Sequence, residues 1–285
     1  MNYYILLAFI PLFAWALGDF FIQRTTRKIG NIQTLFFIAL LSTPTLLPFI
    51  YRQVLELNIS QIGSLLSLSF LIFVYAILLF QAFKIGKLSV LESVVSLELP
   101  IAVGLAALVL GERLGTFQIF LFLVIFFGIL LSTFKRENHG KIYLEKGFYL
   151  ALASAGLSAL TDFYIGVSAQ NISPVVTIWF THATLLIVCT LILVKEKKLG
   201  DVWIDVKNHP YLIFFMSFFD NIAWLGFAYA VTKISISLTV TISECYIILA
   251  ALMGYIFNKE KLSGNQKIGA TIALTSVIIL SFISK

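Results

Sequence analysis

Residues 88–110 read LSVLESVVSLELPIAVGLAALVL. The stretch is apolar and long enough to cross a bilayer as a helix, for which about 20 residues suffice. Yet it carries Glu92, Glu98 and Pro100. A carboxylate near the middle of such a helix costs at least ~2.5 kcal/mol on insertion scales, so it faces a cavity or a partner. Residues 236–257, ISLTVTISECYIILAALMGYIF, repeat the arrangement with Glu244 near the middle. Two acid-bearing helices are therefore expected to flank a polar pocket, with the rest of the chain as its walls.

Composition places the whole chain in the membrane. It is 60% hydrophobic and 12% charged, whereas a soluble domain is about 25% charged. The net charge of +6 comes from Lys and Arg in short connections. That distribution suits a membrane surface, and no aromatic-basic motif points to nucleic acid. Cys189 and Cys245 both fall in apolar spans, with no disulfide framework and no metal-ligand spacing. Residues 3–23 have no basic segment before them and are followed by Arg24, Arg27 and Lys28. They read as a retained first span rather than a signal peptide.

The expected fold is an all-α integral membrane protein of ten transmembrane helices. The length rule puts them at 3–23, 31–51, 62–83, 88–110, 116–134, 147–169, 174–194, 211–231, 236–257 and 266–283. Pro11, Pro44, Pro48 and Pro100 lie inside spans, where kinks are tolerable, and Pro174 and Pro210 open spans, where a missing N–H is harmless. The longest connections, 135–146 and 195–210, are charged and too short for a soluble domain.

The halves resemble each other. Ala16-Leu17-Gly18-Asp19-Phe20-Phe21-Ile22 matches Ala159-Leu160-Thr161-Asp162-Phe163-Tyr164-Ile165. Glu112-Arg113-Leu114 with Gln118 matches Glu260-Lys261-Leu262 with Gln266, and Ala82 matches Ala230. The expectation is two inverted five-helix repeats, 1–134 and 147–285, joined by a linker at 135–146. An odd number of spans turns the second copy over, and inverted repeats are a transporter feature.

The paired motifs Leu110-Gly111-Glu112-Arg113-Leu114 with Gln118 and Gly128, and Glu260-Lys261-Leu262-Ser263 with Gln266 and Gly269, resemble the EamA-like ten-span proteins of the drug/metabolite transporter superfamily. The resemblance covers nearly the whole chain. It departs from strict symmetry at Pro100, whose partner is Ile248, and at Leu121, whose partner is Gly269. It implies helices 1–4 and 6–9 around one cavity, with 5 and 10 peripheral, and no particular substrate. Loop charge and resemblance disagree on orientation. Sixteen of the 20 Lys and Arg lie on odd connections, which puts the termini outside; the resemblance puts them in the cytoplasm. Both readings place the termini on one side.

The ionisable residues well inside spans are Asp19, Glu92, Glu98, Asp162, His182, Asp220 and Glu244, with no Lys or Arg among them. Acids without a base must hold protons or be met by a cationic substrate group or Na⁺. At about 1.5 Å per residue, Glu98, His182, Asp220 and Glu244 lie near mid-span. Glu98, Asp220 and Glu244 are expected to line the pathway. Asp19, Asp162, Glu98 and Glu244 are candidates for proton coupling, the repeat-matched Asp19 and Asp162 being equally explained by structural bonds. Ser217, Asp220, Asn221 and Trp224 are expected on one face of span eight, offering acceptors, an amide and an aromatic platform. Ser237, Thr241 and Glu244 form one stripe of span nine. Tyr75, Gln81 and Tyr229 are further lining candidates. His182 reads as an inter-helix bond rather than a relay. Glu112 and Glu260 read as structural caps or partners of loop cations, and Ser263-x-x-Gln266 has the capping-box form.

No enzyme signature, ATP-binding loop or cofactor motif is present. The function expected is secondary transport of a small cationic or zwitterionic metabolite, such as an amino acid or amine, by alternating access. The partners expected are substrate, lipid and H⁺ or Na⁺, and the setting a bacterial inner membrane. The rival is a non-transporting receptor or assembly scaffold, which has no need of duplicated halves.

Overall fold

The computed structural model describes residues 3–86, 88–133, 146–257 and 264–283, and every regular element among them is helical. The α-helices are α1 (Leu6–Ile29), α2 (Asn31–Leu55), α3 (Ile59–Ile85), α4 (Leu88–Val95), α5 (Glu98–Leu110), α6 (Thr116–Thr133), α7 (Phe148–Asn171), α8 (Pro174–Lys195), α9 (Asp201–Asn208), α10 (Pro210–Ala230), α11 (Ile236–Ser243), α12 (Tyr246–Phe257) and α13 (Gly264–Ile283). Six of these, α1, α2, α3, α7, α8 and α10, are long and apolar enough to cross a membrane. The chain is a multi-pass membrane protein.

Helix starts follow local chemistry. Asn58 and Gln61 form a reciprocal capping box on α3, at 2.9 and 3.0 Å. Pro174 and Pro210 occupy the first turns of α8 and α10, where no N–H is needed. Helix α1 runs six residues past its expected end at 23. Its basic residues stay helical because Arg24 covers the Phe20 ring at 4.1 Å and Arg27 donates to the Gly86 carbonyl at 2.6 Å. It stops at Gly30, whose φ of 96° suits glycine.

The two spans expected to be continuous, 88–110 and 236–257, are each broken in two. The first break falls at Ser96-Leu97, the second at Glu244-Cys245. Pro100 explains the first: it has no N–H for the Ser96 carbonyl, which accepts from Leu99 instead, at 3.2 Å. The second break has no proline. Its bonds tighten to three-residue spacing, Cys245 to Ile242 at 3.3 Å and Ile247 to Glu244 at 3.3 Å. Ser96 and Glu244 correspond across the repeat, so the breaks are in register.

Packing exchanges the halves. Helix α1 lies on α10 as α7 lies on α3, while α2 meets α8, α5 meets α11, and α6 meets α13. Contacts of α1 with α12 correspond to those of α7 with α5. This pseudo-two-fold puts both breaks at the centre.

The α6–α13 contact depends on small residues. A Cβ on Gly128 would fall 2.9 Å from the Ala273 Cβ and 3.1 Å from the Gly269 carbonyl oxygen, so the helices approach closely there. Gly104 on α5 faces open space. Gly128→Val is expected to lower stability by about 1–3 kcal/mol through overpacking. Gly104→Ala, in a helix interior, should raise it by about 0.5–1 kcal/mol. Thermal unfolding in detergent reads both; equal melting temperatures would contradict the packing argument.

Candidate functional site

The broken helices deliver their acids to one pocket. It is lined by Trp15, Asp19 and Ile22 of α1, Tyr75, Leu79 and Phe80 of α3, Val95 of α4, Glu98 of α5, Ser158 and Asp162 of α7, Asp220 and Trp224 of α10, Glu244 at the second break and Tyr246 of α12. No Lys or Arg lines it. The free volume is about 30 Å³, room for a water or two. Drug-sized ligands occupy about 300–1,000 Å³, so the pocket is closed down in this conformation.

Its carboxyl groups lie in two clusters beside Asp220. One oxygen each from Glu98, Asp162 and Glu244 lie within 4.8 Å of one another. Glu98 faces Asp162 and Ser158. Apart from a proton that Glu98 and Asp162 can share, neither Asp162 oxygen, nor Glu244 Oε2, meets a hydrogen-bond donor among the described residues. In the second cluster Tyr246 Oη donates to Glu92 Oε2 at 3.0 Å, and Asp19 faces both groups. Asp19, Glu92, Glu98, Asp162, Asp220 and Glu244 are all at most 8% exposed. Side by side in such surroundings they cannot all carry charge; each negative charge needs a proton or a cation.

Aromatic rings close the pocket. Trp15 and Trp224 meet edge-on with centroids 5.0 Å apart, and Tyr246 lies 5.8 Å from Trp15. Tyr75 packs 6.4 Å from Trp224. Aromatic pairs of this geometry contribute about 0.5–1.5 kcal/mol each beyond burial, so the closure is held but not locked.

The structure brings together Glu98, Asp220, Trp224, Glu244, Tyr75, Asp19 and Asp162. It divides the face expected on span eight. Successive helix residues point about 100° apart, so Asp220 enters the pocket while Asn221 turns to α2. There the Asn221 amide donates to the Ile38 carbonyl at 3.0 Å and the Ser217 carbonyl at 2.7 Å. Tyr229 is 44% exposed and lines no part of the pocket. Gln81 accepts from Asn31 at 2.8 Å, tying α3 to α2. His182 Nδ1 sits 2.7 Å from Ser42 Oγ, the inter-helix bond expected of it. Thr241 turns back to the Ser237 carbonyl at 2.6 Å, leaving Glu244 as the part of its stripe that reaches the pocket. Helices α2 and α8 contribute no residue to this pocket; Ser42 and Thr45 of α2 line a second one with Asn221 and Ile222 of α10.

Glu92, Tyr246 and Ser158 were not among the expected site residues. Glu92, one turn before the break, is 1% exposed and accepts from Tyr246 beside the pocket. Tyr246 stands at the repeat position of Glu98, a signal present in the sequence.

The model of the EamA-like transporter family matches residues 2–134 and again residues 145–282. The chain belongs to the EamA-like transporter family. A solved structure titled "Crystal structure of protein" superposes with a TM-score of 0.73 at 15% identity, covering 99% of this chain and 97% of that one. At that identity the likeness establishes the fold. No curated protein matches the sequence. Membership makes the chain similar to membrane transporters of small molecules.

The most recognisable family motif is structural here. Glu112 Oε1 accepts from the Ile236 N–H at 2.8 Å, and Oε2 accepts from the Ser237 N–H at 2.9 Å and the Ser237 hydroxyl at 2.6 Å. It therefore caps α11, in the opposite half, rather than its neighbour α6. Gln118 Oε1 accepts from the Gly115 N–H at 2.8 Å and so caps α6. Glu260 and Ser263, and the Gln266 side chain, lie outside the described residues. Glu112→Ala is expected to cost about 1–2 kcal/mol, the range of a lost cap, and Glu112→Gln less. Melting temperature gives the cost, and faster hydrogen exchange at residues 236–243 gives the location. Unchanged exchange there would rule out the capping role.

Proposed function

We propose that the chain is a secondary transporter of a small cationic or zwitterionic metabolite, an amino acid or amine, working by alternating access in a bacterial inner membrane. Ten spans build it. Eight are α1, α2, α3, α6, α7, α8, α10 and α13; the broken pairs α4–α5 and α11–α12 supply the other two. The halves 1–134 and 147–285 are five-span units of opposite orientation, joined by the linker at 135–146. Rocking of one half against the other then exposes the centre to each side in turn.

The observation that carries this reading is a buried, base-free acid pocket at the broken midpoints of two repeat-related helices. Discontinuous helices at mid-membrane are where transporters of inverted-repeat design bind their ligands. Asp220, Glu98 and Glu244 supply the attraction for a substrate ammonium. Trp224, Tyr75 and Trp15 supply faces for its cationic or planar part. One carboxyl group among Asp19, Asp162, Glu98 and Glu244 carries the coupling proton. The pocket widens by parting α1–α10 or α3–α7. A static scaffold fits less well, because unpartnered Asp162 oxygens beside a void are a cost that a purely structural core avoids.

Reconstituted protein is expected to take up a labelled amine or amino acid faster under an imposed pH gradient, with competition by other organic amines. Asp220→Asn should lower uptake at least tenfold, corresponding to about 1.4 kcal/mol or more of lost interaction. Tyr229→Phe should leave it unchanged. Transport confined to anionic compounds, and indifferent to Asp220→Asn, would overturn the substrate class.

A further inference from the structure

We propose that Glu98, Asp162 and Glu244 bind a single divalent metal cation. This stands on the geometry of the triad and does not depend on the transport reading. The three oxygens lie within 4.8 Å of one another. Oxygen-ligated Ca²⁺, Mn²⁺ or Mg²⁺ sits about 2.0–2.6 Å from its ligands, so one ion reaches all three with small side-chain adjustments. The donor set is all carboxylate, which selects hard cations over thiolate- or imidazole-seeking metals.

The acids alone would not make a site. The second observation is that Asp162, 1% exposed, has both oxygens without a donor, and Glu244, 2% exposed, has one. Both residues line the pocket, whose free volume is about 30 Å³. An ion with a water fits there; a carbon skeleton does not. A single proton shared between Glu98 and Asp162 leaves the other Asp162 oxygen and Glu244 unmatched. A monovalent ion leaves two of three negative charges uncompensated among buried side chains. A divalent ion leaves one, and the carboxylates ligate it directly. Backbone geometry supports the arrangement: Glu98 opens α5 and Glu244 sits at the break before α12, so both acids hang from helix ends rather than from mid-helix positions.

The test is Mn²⁺ binding to the purified full chain in detergent, followed by loss of the free-ion EPR signal. One Mn²⁺ per chain is expected, displaced by Ca²⁺. Asp162→Asn and Glu244→Gln should each weaken binding at least tenfold, and Asp205→Asn, on the outlying α9, should not. Trp15 and Trp224 line the same pocket, so Mn²⁺ should also quench tryptophan fluorescence in the unmutated protein, less so in Trp224→Phe. Absence of saturable Mn²⁺ binding, absence of quenching, or binding that survives both triad variants would overturn the proposal. Amine uptake in proteoliposomes containing a chelator reads the transport function separately, so either idea can fail alone.

Discussion

Six carboxyl groups share the interior of this bundle with no basic side chain in the pocket lining. Each charge left unmatched there would cost several kcal/mol after relaxation, which is comparable to the whole stability of a modest domain. Hydrogen bonds offset part of it: Tyr246 serves Glu92, Ser158 serves Glu98 and Trp224 serves Asp220, while the Asp162 oxygens have no donor besides a carboxyl proton. On the readings proposed above, the missing partners are mobile species. Protons, metal ions and substrate ammonium groups all enter from water, and each can leave again. A resident Lys or Arg would satisfy the acids permanently and remove the reason for anything to bind.

The broken helices follow from the same constraint. A continuous helix presents side chains at fixed 100° steps and keeps its backbone sealed. Interrupting α4–α5 places Glu98 at the start of a half-helix, where the positive end of the helix dipole favours a carboxylate. The breaks are in register across the duplication, but their chemistry is not. Ser96 faces the role of Glu244, and Glu98 that of Tyr246. The duplication therefore repeats the backbone break and not the side chains beside it. Two acids at both breaks would double the charge to be matched; the Tyr246 hydroxyl instead donates to one of those present.

Depth counting in the sequence found Glu98, Asp220 and Glu244, because a carboxylate deep in an apolar span has few bland explanations. Repeat matching found Asp19 and Asp162, which the pocket unites. Both methods assume straight helices, and they failed where helices are not straight. Depth counting did not single out Glu92, and no proline marks the interruption at Glu244-Cys245. Face assignment failed for Asn221, since one residue of helical rotation separates a pocket wall from an inter-helix bond. Tyr229 was chosen for residue type alone, and it faces outward. The family motif was legible as structural, but its partner was not. A cap normally serves the helix it precedes, whereas Glu112 reaches into the other half of the molecule.

That reach bears on movement. Glu112 joins the loop after α5 to the first turn of α11 by three hydrogen bonds, and so ties the two halves together at one end of the bundle. Charge-assisted bonds of this kind are roughly twice as strong as neutral ones, yet Glu112 is only half-buried. Water can therefore replace its partners when the halves separate at that end. At the pocket the halves are joined by one such bond, from Tyr246 to Glu92 at 3.0 Å, against three at Glu112. On the transport reading proposed above, the heavier tie thus sits at a bundle end, where water can take over its bonds, and the acids sit at the centre, where a substrate can meet them.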